Sequence, residues 1–131
     1  MLNIPVVTLS NGLRVANFSS PHEFHFVDGS VLSACSPEWA REMMLDAEER
    51  EALVETQSGV AYTDIGLCWK LSDVVRWEID RLRVSDDFDV LIIPLPVMTA
   101  LKEARLPIGR MRCIRMADRV TKKAHIDRFC V

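Results

Sequence analysis

The histidines and cysteines are the residues of this chain best suited to chemistry, and their spacing decides how much they can do. His22, His25 and His125, with Cys35, Cys68, Cys113 and Cys130, are the nitrogen and sulfur donors that zinc takes at tetrahedral corners. Such ligands usually arrive as close pairs on tight turns. Here there is no CxxC pair, His125 and Cys130 are five residues apart, and His22 and His25 are three apart, which on a strand places them on opposite faces. The spacing assigns no metal, and the thiols read as small core hydrophobes. A nucleophile needs an adjacent base; the sequence sets none beside a thiol, so no catalytic residue is assigned.

Two other segments carry functional groups. "SSPHEFHFVDGS" concentrates His22, His25, Glu23 and Asp28 near two turns, residue types that proton transfer or recognition would use, although a turn-rich edge with satisfied side chains is the favoured account. "RMRCIRMADRVTKKAHIDRFC" is the more conspicuous. Residues 110–131 hold seven bases against two acids, a balance of +5, while the preceding 109 residues hold nine bases against seventeen acids, −8. On a helix Arg112, Arg115, Arg119 and Lys122 or Lys123 form a row able to hold phosphates or carboxylates. The competing reading is a solvated face, or one neutralised by the acidic segment 38–55, which carries seven acids and two arginines.

The elements that must position these groups follow from turn chemistry and periodicity. Asn11-Gly12 and Asp28-Gly29 each separate two β-prone runs, which predicts two N-terminal hairpins. Ser36-Pro37-Glu38 reads as a helix start, and Ala40, Met43, Met44, Ala47 and Val54 make a stripe that carries the predicted helix to about Glu55. A short strand is expected at 60–63, with 64–71 readable at either period. Ser72 caps a second helix with Val74, Val75, Ile79 and Leu82 inward, and Met43, Met44, Met98, Trp69 and Trp77 are expected to fill the core. Asp89 to Ile93 suits a doubly buried strand, and Pro96 opens a third helix. Periodicity then favours helix for 111–122 and strand for 125–130, although topology asks for a strand after the βα unit.

The expected fold class is therefore α+β: a single small globular domain over 1–131, with N-terminal β-hairpins, a mixed sheet packed by about three helices, and a βα(β) unit at 89–117. "IIPLPV" lacks glycine and loses two N–H donors to proline, so neither a dinucleotide fingerprint nor a P-loop is present. No apolar run approaches membrane length, the N-terminus lacks the features of a secretion signal, and the scattered cysteines suit a reducing, cytoplasmic setting. A net charge of −3 argues against a general nucleic-acid binder.

"ANFSSPHEFHFVDGSVL" and "ADRVTKKAHIDRFC" resemble segments of uncharacterised phage or prophage proteins. The resemblance implies a host-directed or metabolic accessory role and carries over no functional residue. The function expected from the residues is a small cytoplasmic binding protein with no cofactor. It would engage an anionic small molecule, a nucleotide or an acidic protein through Arg112, Arg115, Arg119, Lys122 and Lys123, with His22, His25 and His125 nearby. The alternatives are a small enzyme on a nucleotide-like or phosphorylated substrate, with one of the three histidines as base, and a homo-oligomer whose tail docks on the acidic helix of another copy.

Overall fold

The computed structural model describes residues 3–131, apart from the side chains of Arg50 and Leu67. Two hairpins open the chain: β1 (Val6–Thr8) with β2 (Arg14–Asn17), and β3 (Phe24–Phe26) with β4 (Val31–Leu32). In each loop a glycine, Gly12 or Gly29, takes the positive φ that lets the chain turn back into its ladder. The two loops meet, since the Asp28 carboxylate accepts from the Ser10 backbone N–H at 2.8 Å.

Helix α1 (Pro37–Glu42) starts where the sequence predicts, with the Ser36 hydroxyl accepting from the Trp39 N–H, but it stops at Met43 instead of running to about Glu55. The predicted acidic helix is instead β5 (Asp46–Gln57), paired with β6 (Val60–Lys70) in a separate two-stranded sheet. Ser58 and Gly59 both have positive φ, the type I′ geometry that suits the twist of a hairpin. Helix α2 (Asp73–Arg83) is capped by Ser72 and buries Val75, Glu78, Ile79 and Leu82. Val74 and Trp77 face solvent, contrary to expectation, because the buried stripe lies one position round the helix from them.

Strand β7 (Val90–Ile92), helix α3 (Leu95–Glu103) and β8 (Met111–Asp118) form the expected βαβ unit, with β7 and β8 parallel. Residues 111–118 are thus strand, not helix: β7 offers a free parallel edge, and a crossover helix returns its chain to that edge. β9 (Lys123–Cys130) pairs antiparallel with β8 and parallel with β3. The order β1-β2-β7-β8-β9-β3-β4 makes one mixed sheet. It curls until β4 lies against β1 and β2. Val15, Phe26, Leu32, Ile92 and Ala124 fill the concave side. The three helices cover the other side over Phe18, Leu91, Ile93 and Met111. Fold class and hairpins are those the sequence predicts: α+β, with a mixed sheet.

Candidate functional site

The parallel strands β2 and β7 end side by side, and the chain leaving each one builds a cleft at their carboxyl edge, where open α/β sheets commonly bind ligands. A fully buried asparagine fixes the first of these loops. Asn17 Nδ2 donates to the carbonyls of Ser20 (3.1 Å) and Ser33 (3.0 Å), and its Oδ1 accepts from the Ser20 N–H at 2.9 Å. The Trp39 indole donates to the Phe18 carbonyl at 2.7 Å, and the Cys35 thiol donates to that of Asn17 at 3.1 Å. Burial raises the Cys35 thiol to about 11, so it stays protonated and serves as a donor. Nothing in the β-prone run "LRVANFSS" distinguished Asn17 beforehand, because its three partners lie in loops.

The cleft encloses about 600 Å³ between α1, the base of β6 and the start of α3. Met43, Trp69, Pro94 and Val97 make its walls, and Arg41 is the one charged residue among those lining it. A second cavity of about 450 Å³ opens beside Cys113 and Ile114, and Ser19, Pro21 and Pro94 belong to both. Met44, expected in the core, is 66 % exposed at the rim.

The basic residues lie elsewhere, on the β8–β9 hairpin. Arg119 and Lys122 occupy the turn, and Lys123 starts β9. The Asp118 carboxylate shapes that turn by accepting from the Val120 N–H (2.9 Å) and Thr121 N–H (3.3 Å), which lower its pKa. Arg115, Arg119, Lys122 and Lys123 are exposed, and Arg115, Arg119 and Lys122 make no ion pair among the described residues. Arg112 leaves the predicted row: its guanidinium donates to the carbonyls of Gly109 and Met111, each at 2.7 Å, and serves the α3–β8 connection. The helical row is therefore a turn cluster with Arg115 behind it.

The register places His25 beside Lys123, opposite in face to the buried pair Phe26 and Ala124, and His125 lies two residues further along that same outer face. His25 Nε2 lies 2.8 Å from Glu23 Oε1, and His125 Nδ1 lies 3.8 Å from Asp127 Oδ1. His22 is exposed in the loop before β3, away from this alignment. So the sheet gathers two of the three predicted histidines next to the basic turn. Among the described residues no three His, Cys, Asp or Glu side chains are grouped to hold a metal. The four cysteines form no disulfide; Cys35, Cys68 and Cys113 are buried, and Cys113 faces Cys130 across β8 and β9.

The acidic counterpart is the β5–β6 hairpin, which carries six acids and two bases over residues 46–70. Only its base is packed: the Cys68 thiol donates to Glu103 on α3 at 3.4 Å, and Trp69 borders the cleft. Further out, Leu53 (65 %), Val54 (63 %) and Ile65 (64 %) are in water. Within the arm Lys70 pairs with Glu48, and the Thr63 hydroxyl donates to Glu51 at 2.7 Å.

Comparison of the chain with protein-family models, curated proteins and solved structures returns no match. Among the described residues no helix is long and apolar enough to cross a membrane.

Proposed function

We propose that this chain is a small binding module that engages an anionic ligand or an acidic protein surface through the tip of its β8–β9 hairpin. The observation that carries the reading is the group Arg115, Arg119, Lys122 and Lys123, exposed on and beside a turn fixed by Asp118, with its arginines and Lys122 unpaired among the described residues. Cations left in water keep their long-range field and lose little solvation until a partner arrives, which favours fast, salt-sensitive association. His25 and His125 flank the same patch. The scattered cysteines, with no CxxC pair, suit a cytoplasmic setting, and a binding role fits the accessory function that the resemblance to phage proteins implies.

Titration with polyglutamate and with a short DNA duplex at rising salt tests the reading. Binding that weakens steeply with salt is expected, and Arg119→Glu with Lys122→Glu and Lys123→Glu should weaken it by about tenfold or more. No binding of either polyanion at low ionic strength would overturn it.

A second reading has its own observation. The β5–β6 arm is acidic and holds Leu53, Val54 and Ile65 in water, and a lone two-stranded hairpin is marginally stable by itself. A second copy could bring its basic β8–β9 turn against that arm, giving a homo-oligomer. Light scattering should then show a mass above the monomer at low salt that reverts at high salt; a monomer at every salt concentration excludes this arrangement.

A further inference from the structure

The cleft at the carboxyl edge of β2 and β7 is a second, independent feature, remote in chemistry from the basic hairpin. Its walls are thioether, indole, pyrrolidine and aliphatic groups, and its volume of about 600 Å³ lies within the range of small-molecule sites. Only two side chains give it polarity. Arg41, on the last turn of α1, is exposed at the mouth and has no carboxylate or hydrogen-bond partner among the described residues. Ser19 is 8 % exposed, lies where the two cavities join, and its hydroxyl likewise has no partner among the described residues. A cation without a counter-ion at the mouth of an otherwise apolar cleft, with one serine hydroxyl on its lining, asks for an apolar occupant that carries a negative charge.

We infer that the cleft binds a small amphipathic monoanion, an apolar aliphatic or aromatic body carrying one carboxylate-type head. The body would lie against Met43, Trp69 and Val97, and the head would pair with Arg41. A guanidinium suits such a head because its planar donors match two acceptor oxygens at once. The Asn17 clamp prepares the site, since it holds the loop that carries Ser19 before any ligand arrives.

Anilinonaphthalene sulfonate, an aromatic body with one anionic head, and phenylnaphthylamine, a similar body without it, test the inference by fluorescence titration of the whole chain. One equivalent of the anionic probe should bind, decanoate should displace it, and decanol should displace it poorly. Arg41→Gln, a change on an exposed position that spares the core, should weaken the anionic probe by about fivefold or more and leave the neutral one unchanged. Ala40→Trp should exclude both probes from the cleft while the circular dichroism stays native. Failure of the anionic probe to bind, an affinity unmoved by Arg41→Gln, or several equivalents indifferent to Ala40→Trp would each overturn it. None of these outcomes depends on the basic turn, so the two readings fail separately.

Discussion

The β5–β6 and β8–β9 hairpins are near mirror images in charge and opposites in support. Residues 46–70 sum to −4 and residues 111–130 to +4. Both are antiparallel and both carry a register shift in the ladder. But β8 also bonds to β7, and β9 to β3, whereas β5 and β6 have only one another. A strand inside a sheet is held by two ladders and a covered face. A strand in an arm is held by one ladder and its turn. The acidic hairpin is therefore held by fewer ladders than the basic one, whose strands are tied to β7 at Met111 and Arg112 and to β3 at Lys123 and Ala124.

The largest effect should come from the supported side. Phe26 is fully buried on β3, in the concave core shared with Ala124 of β9, and Phe26→Ala should cost about 3–5 kcal/mol in denaturant unfolding. Replacing residues 50–66 by an Asn-Gly turn removes far more chain, yet should shift the melting temperature by only a few degrees, because residues 51–66 are all exposed. A comparable loss from the two changes would contradict the contrast.

Gly59→Val is a finer probe. At φ +76 a β-branched residue strains the type I′ turn by about 1–2 kcal/mol, so amide exchange should accelerate across 46–70 while β8 and β9 keep their protection. Acceleration in both hairpins would mean that the arm and the sheet open together.

The smallest effect is one of pH. The N–H groups of Ser10 and Ser30 donate to the Asp28 carboxylate and hold its pKa at about 2, below the ordinary 3.8. A carboxyl whose pKa is lowered by folding stabilises the fold above its unfolded value, and that contribution disappears as pH falls through about 2. Asp28→Asn should flatten the acid limb of stability between about pH 4 and pH 2, by about 1 kcal/mol or less because the group remains in contact with solvent. The arm has no part in this, so the effect should persist when its outer half is deleted.

These two hairpins also mark where the sequence was legible. Turn residues read directly: Gly12 and Gly29 fix the N-terminal hairpins, and Ser36 and Ser72 cap the helices that follow them. Both misread strands were misread alike, as helices. In β5 the run "DAEEREA" consists of helix formers, and its strand state comes from Ser58-Gly59 and from β6, partners that a window on β5 cannot include. In and just after β8, Arg112, Arg115 and the turn residue Arg119 keep helical spacing, and the parallel edge of β7 overrides it. The basic group was legible as composition and not as geometry, which moved Arg112 out and brought His25 beside Lys123. The cleft was hardest to foresee, because Ser19, Arg41, Trp69 and Val97 are brought together only by the crossing of four separate elements.

The place of β9 between β8 and β3 has a consequence for how the molecule is made. Hairpin β3–β4 leaves the ribosome before β9, and the neighbour that completes its ladder, around Ala124, is synthesised 92 residues after Leu32. Until then Phe24 and Phe26 lack their final covering, and nascent copies crowded on one message would be exposed to mispairing. Biogenesis should accordingly be most vulnerable between the synthesis of β4 and that of β9, and a holding chaperone would matter most in that interval.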